Sequence, residues 1–152
     1  MKIRLAVVDD ASALVEFNQS MALETEGKSL DGDVLARGVT AVFGDASKGF
    51  YVVAEDAGEI VGGLMVTFEW SDWRDRWFWW IQSVYILPAY RGRGIYRSLY
   101  DFVRESAAEK GVVCGFRLYV EKENESARAV YEKLGMEESH YLMYEQDADQ
   151  KI

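Results

Sequence analysis

The sequence predicts a mixed α/β domain built on one sheet, and three observations carry that prediction. The centre of the chain, residues 50–87, is a succession of apolar, β-branched and aromatic runs broken by polar turns. The flanking segments instead repeat their apolar residues at helical spacing. A strand-like run at 112–120 comes after a helix rather than a turn, which implies a crossover and a parallel neighbour.

Taken in order, residues 3–8 read as a first strand, and Asp9 and Asp10 are placed to cap the first helix. Leu14, Phe17 and Met21 recur at helical spacing and predict that helix near 10–25, which GKSLDGD breaks. Leu35, Val39 and Val42 mark a second short helix ending near Gly44. Residues 50–55 and 60–70 flank the turn signal Asp56-Ala57-Gly58-Glu59 and predict a hairpin. Gly62 and Gly63 inside its second run point to a bulge or a close backbone approach. The polar turn SDWRDR leads into a third run, 77–87, stopped at Pro88, the only proline. These three strands form an antiparallel meander. Leu99, Phe102, Val103 and Ser106 then line one face of a helix that Gly111 ends, and the strand at 112–120 comes next. Ala127, Val130, Tyr131 and Leu134 sit at i, i+3, i+4 and i+7 of a last helix, ended by Gly135. Residues 136–146 read as a final extended segment, giving the order β-α-α-β-β-β-α-β-α-β. The expected organisation is one domain over 1–147 and a frayed tail over 148–152.

The 152 residues carry 26 acidic and 17 basic side chains, a net charge of -9. That balance argues against nucleic acid or an anionic membrane as the main partner and suits a cationic substrate. No stretch approaches the ~20 apolar residues of a membrane span. One cysteine, Cys114, and one histidine, His140, make neither an intramolecular disulfide nor a zinc site of the usual ligand types. The expected metal content is none and the expected compartment the cytoplasm.

One segment departs from the acidic background. From Arg76 to Tyr100 there is no Asp or Glu, while Arg76, Arg91, Arg93 and Arg97 all fall there. Its centre is Arg91-Gly92-Arg93-Gly94-Ile95-Tyr96, after a strand and before a helix. Glycines permit close backbone approach, and a helix start offers unpaired N–H groups at the positive end of its dipole, a geometry that suits phosphate. The spacing is neither that of a Walker loop nor that of the Rossmann fingerprint. Alone, the loop reads equally well as a basic turn capping a helix.

A second motif runs through Asn124, Ala127, Tyr131, Lys133 and Gly135 to Met136. With both motifs in this order, the chain resembles the GNAT acetyltransferase superfamily over about residues 2–146. The family's pyrophosphate loop, Gln/Arg-x-x-Gly-x-Gly/Ala, is matched by Arg91 and Gly94; its signature Asn-x-x-Ala-x-x-x-Tyr-x-Lys-x-Gly-Phe is matched from Asn124 to Gly135. Met136 replaces the Phe, and Tyr96 stands where Gly or Ala is usual. A ring at Tyr96 either crowds the phosphates or packs outward on the cofactor or the first helical turn.

The resemblance implies acetyl-CoA as co-substrate and a direct transfer to an amine through a tetrahedral intermediate. The parallel strands would splay, with the pantetheine arm bonding main-chain groups around Val84, Tyr85 and Ile86 as an added strand does. The N–H groups of Gly92, Arg93, Gly94, Ile95, Tyr96 and Arg97 would hold the pyrophosphate. Asn124 would bond the pantetheine arm or cap its helix. Tyr131 would protonate the departing thiolate, or else is the i+4 member of an apolar helix face. Homodimers are common in the family. A catalytically silent acyl-CoA sensor is the alternative reading.

The acceptor side is less defined. All five tryptophans lie between Trp70 and Trp80. Alternation puts Trp77, Trp79 and Ile81 on one face and Phe78, Trp80 and Gln82 on the other. Trp70, Trp80 and Gln82 are candidates to wall an acceptor pocket, or the aromatics are core. An aromatic wall beside Glu69, Asp72 and Asp75 would suit a cation. Glu69 is the candidate base for deprotonating an ammonium, and Glu26, beside Glu24 at the end of the first helix, is a candidate acceptor ligand.

Overall fold

A computed structural model describes residues 1–149, and the sheet is where the sequence patterning becomes shape. The elements are β1 (Lys2–Leu5), α1 (Ala11–Glu26), α2 (Gly32–Gly44), β2 (Phe50–Asp56), β3 (Glu59–Ser71), β4 (Arg76–Ile86), α3 (Ile95–Lys110), β5 (Val113–Arg117) and α4 (Glu125–Lys133). Short 3-10 turns at Val8–Asp10 and Pro88–Tyr90 lead into α1 and out of β4. The described chain forms two compact units, Met1–Tyr119 and the segment from Val120 onward.

In the first unit the strands are ordered β1-β2-β3-β4-β5. The first three pairings are antiparallel and the last, β4 with β5, is parallel. The meander and the crossover helix expected from the sequence are both present. Leu14, Phe17, Val39 and Val42 of α1 and α2 pack on Tyr51, Val53 and Tyr85, with Met65 against them. Strand alternation sends Val52, Ala54, Leu64 and Val66, all at 0% exposure, to the opposite face. There α3 crosses the five strands, burying Leu99 and Val103 completely.

Local chemistry fixes the ends. Asp31 Oδ1 accepts from the Asp33 and Val34 N–H groups at 3.0 and 3.1 Å and so starts α2. Asp10 caps differently from the expectation: its Oδ2 accepts from the Val7 N–H at 2.8 Å, and both its oxygens bind the Arg4 guanidinium. A Cβ at Gly49 (φ +139°) would lie 2.2 Å from the Val66 carbonyl oxygen, so β2 enters against β3 only with glycine there.

In the second unit, α4 is capped by Asn124. The expected strand at 136–146 is not formed: among the described residues this segment joins no β-ladder. An extended run becomes a strand only when a neighbour takes its N–H and C=O groups, a condition its own sequence does not supply. Tyr141, Leu142, Met143 and Tyr144 are accordingly exposed. The strand expected at 112–120 likewise stops at Arg117, where its partner diverges. Of the frayed tail expected over 148–152, residues 150–152 lie outside the described residues.

Candidate active site

The parallel pair opens like a fork. Trp77, Phe78, Trp79 and Trp80 of β4 pair with β5 between Val113 and Arg117, and β4 then runs on to Ile86. Among the described residues no strand pairs with that side of residues 81–86. A bulge marks the divergence. The β3–β4 register shifts between Gly63 and Met65, and Ser83 has φ +51°, a conformation that costs a non-glycine residue energy and re-aims the strand. Leu87 N–H donates to the Val61 carbonyl at 2.9 Å. Alternation then turns the main chain of Tyr85 toward β3 and that of Val84 and Ile86 toward the opening. An extended amide-bearing chain fits such an edge.

Next to the opening lies the basic loop. Gly92 and Gly94 both have φ +77°, and a Cβ on either would meet no atom within 4 Å. The turn therefore needs glycine for its backbone and leaves clear space beside it. Gly94 begins α3 without a side-chain cap and with no acid in the first turn. The first intrahelical bond there is Ser98 N–H to the Gly94 carbonyl, so the N–H groups of Ile95 and Arg97 lie at the helix start, before the intrahelical ladder begins. Donors, helix dipole and neighbouring guanidinium groups together fit an anion of the phosphate class.

The loop's side chains are disposed less uniformly. Arg93 lies over the Tyr90 ring at 5.0 Å. The Tyr96 ring lies nearly parallel to Tyr100, at 6.2 Å and 6°. Arg91 turns to α1: its Nη2 donates to Glu24 Oε2 at 2.9 Å and its Nε to the Ile86 carbonyl at 2.9 Å.

A polar and aromatic surface occupies the α1/α2 face of the sheet, where Thr67 and Glu69 come after Met65 at the strand period. Glu69 Oε1 accepts from Trp80 Nε1 at 2.8 Å and from Arg117 Nη1 at 2.9 Å. Arg117 lies 3.6 Å above the centre of the Phe78 ring, and Gln82 donates to the Thr67 hydroxyl. Burial acts to raise the Glu69 carboxyl pKa, but the bonds from Trp80 and Arg117 bring it below the ordinary carboxylate range. Glu69, Trp80 and Gln82 are thus brought together. Trp70 is not: alternation places it on the opposite face, edge-on to Trp77 at 4.9 Å. Glu26 is exposed and faces Lys28 at 3.9 Å, with no tie to this surface. Cys114 is half-buried, its thiol donating to the Trp77 carbonyl at 3.3 Å.

In the second unit, Asn124 Oδ1 accepts from the Ala127 N–H at 3.1 Å, so the carboxamide oxygen serves as the helix cap. Tyr131 sits on α4, half-buried, and burial pushes its phenol above the ordinary tyrosine value. Sequence reading placed the loop and the fork but missed Arg117 and the Glu24–Arg91 pair. Both arise from contacts across 48 and 67 positions of sequence, and no local pattern announces them.

Comparison with known proteins gives a consistent result. A family model described as the Acetyltransferase (GNAT) family matches residues 13–136. A possible acetyltransferase from Clostridium difficile 630 is 45% identical, with TM-score 0.91 and 98% of each chain covered. A transcriptional regulator from Bacillus halodurans C-125 is 27% identical over 96% of this chain and 99% of its own, with TM-score 0.81. A predicted acetyltransferase with acetyl-CoA from Clostridium acetobutylicum shares the fold at 20% identity, with TM-score 0.77 and 95% of each chain covered.

Proposed function

The chain belongs to the GNAT acetyltransferase family, and from that premise we propose that it moves the acetyl group of acetyl-CoA onto the primary amine of a small cationic molecule. The observation that supports this reading most is the β4–β5 fork with the Gly92/Gly94 turn and the α3 N-terminus beside it. The main chain of Val84 and the Ile86 N–H would hold the pantetheine amides as an added strand, the Ile86 carbonyl being taken by Arg91 Nε. The N–H groups of residues 92–97 would hold the pyrophosphate, and Arg93 and Arg97 would add positive charge. In this reading the Tyr96 ring, which lies nearly parallel to that of Tyr100, packs beside the cofactor and does not fill the phosphate loop.

Acetyl-CoA supplies an activated thioester. The neutral amine attacks its carbonyl carbon, the carbon–sulfur bond breaks, and the thiolate takes a proton. Tyr131 is the proposed donor, because a phenol raised by burial remains protonated at neutral pH. Glu69, held by Trp80 and Arg117, suits a fixed wall of the acceptor surface better than a mobile proton acceptor. The proposal therefore gives Glu69, Trp80 and Gln82 to acceptor binding and the amine's proton to water. Asn124 keeps its capping role, which orders the start of the helix that carries Ala127 and Tyr131. Among the described residues no helix is long and apolar enough to cross a membrane, and the proposed compartment is the cytoplasm.

Calorimetric titration with acetyl-CoA and with CoA tests the reading. The expected result is one site per chain with micromolar affinity, followed by thiol release when an amine panel is added. Absence of binding removes the acetyl-CoA assignment. Binding without thiol release for any amine supports the silent sensor instead.

A further inference from the structure

Resting on the phosphate-loop reading, we propose that Glu24 is a positioning residue for cofactor capture: from the last turns of α1 it fixes Arg91, and through Arg91 the start of the glycine turn against the open edge of β4. The carboxylate accepts two hydrogen bonds. Tyr85 Oη donates to its Oε1 at 2.8 Å, and Arg91 Nη2 to its Oε2 at 2.9 Å. Arg91 Nε meanwhile donates to the Ile86 carbonyl at 2.9 Å, one of the main-chain groups that face the fork. The guanidinium also lies over the Tyr85 ring, 5.2 Å from its centre.

This arrangement differs from an ordinary surface ion pair, which adds little because both side chains must be ordered to form it. Here the Tyr85 ring is already held in the core, 5.3 Å from Phe17 and with 6% of the residue exposed. Its hydroxyl fixes one carboxylate oxygen before Arg91 binds the other. Glu24, Tyr85 and Arg91 come from three separate elements, at sequence separations of 61 and 67, and they meet where β4 hands over to the basic loop.

A consequence concerns the role of Arg91 itself. Its charge is matched by Glu24, and two of its donor nitrogens are used on Glu24 and on Ile86. In this arrangement Arg91 acts as a strut. The attraction for phosphate is left to the N–H groups of the turn and helix, with Arg93 and Arg97.

The test compares Glu24→Gln and Tyr85→Phe with the wild type in two titrations or assays. One uses CoA or acetyl-CoA. The other uses S-acetylpantetheine, which carries the thioester arm but no pyrophosphate. Glu24→Gln should weaken CoA about 3- to 10-fold. Tyr85→Phe, which removes one tether but keeps the ring, should weaken it about 2-fold. Both should weaken S-acetylpantetheine less than CoA and leave KM for the amine unchanged. In a double-mutant cycle, Glu24→Gln should cost nothing further once Arg91→Gln is present. Equal CoA affinity in wild type and Glu24→Gln overturns the proposal, as does equal loss with S-acetylpantetheine. A raised amine KM as the sole change would make Glu24 an acceptor ligand and also overturn it. Failure of the wild type to bind CoA would remove the underlying acetyl-CoA reading together with this one. Wild-type binding with an unaffected variant removes this one alone.

Discussion

Asp10 is a carboxylate with 7% exposure, and it is tolerated there because three donors meet it. Both oxygens bind Arg4, at 2.7 and 3.0 Å, and one also takes the Val7 N–H at 2.8 Å. The bonds from Arg4 outweigh the effect of burial and hold the Asp10 carboxyl below its ordinary value. A carboxyl depressed in the folded state contributes stability above its unfolded pKa and loses it as pH falls through the folded value. Asp10→Asn should therefore lower stability by about 1–3 kcal/mol at pH 7, with the difference from wild type narrowing below about pH 4; urea melts across that range check it. Tyr131 shows the opposite direction, a phenol raised by burial. As the proposed donor to the thiolate it must stay protonated, so its loss of function belongs to pH above the ordinary tyrosine value of 10.0. Below that, kcat/KM should climb with pH as the acceptor amine loses its proton. Tyr131→Phe should reduce kcat about 10-fold while the affinity for acetyl-CoA holds, less than the ~10²–10⁴ typical of general acid catalysis because a thiol is a good leaving group. Steady-state kinetics beside calorimetry separate the two quantities.

Elements explain what single residues do not. The passage from β4 to α3 works because a strand ends at Ile86 ahead of Pro88, two glycines turn the chain at positive φ, and a helix starts without an acid or a side-chain cap. All of this is written locally, and the loop was legible in the sequence for that reason. Gly94→Val tests it directly. The added Cβ meets no neighbour, so the cost to folding should be the backbone strain alone, about 1–2 kcal/mol. The branched side chain on the phosphate side should abolish CoA binding, as calorimetry on a variant with a preserved cooperative melt will show. The final segment was legible only in part. Its extended, aromatic-rich pattern at 136–146 is plain in the sequence, but strand formation depends on a neighbour that periodicity does not name. The face of each β4 residue was legible for the same reason as the loop, since alternation is a local rule. That rule separates Trp70 from Trp80, and applying it to β3 as well as β4 would have kept Trp70 out of the acceptor group.

At the scale of the molecule, the net charge of -9 surrounds a cationic loop. The acidic field should draw a cationic amine toward the protein and oppose an anionic one. Raising ionic strength from about 0.01 to 0.15 M shortens the Debye length from ~30 to ~8 Å, so kcat/KM for a diamine should fall more steeply than for a singly charged amine. A salt series with matched acceptors checks it, and equal slopes would show that the field plays no part in capture. The long-range meetings belong to this scale too. Glu69 on β3 reaches Arg117 on β5 across the intervening β4, and Glu24 reaches Tyr85 and Arg91 because α1 packs against β4. No spacing in the chain encodes such pairs, which is why the acceptor surface was the least legible part of the site.

The open edge of β4 has one more consequence, for how such a chain diverges. The slot beside residues 84–86 is bounded by main-chain groups, and the anion cradle by N–H groups and two glycines. Peptide groups are the same whatever side chain is attached. Substitution along the strand therefore leaves the donor end of the reaction almost unchanged, provided the bulge and the glycines persist. The proposed acceptor surface is built from side chains such as Trp80, Gln82, Glu69 and Arg117, so on that proposal each replacement there alters what it recognises. On the proposed reading, mutational drift in this molecule is thus steered toward new acceptors while the donor stays the same.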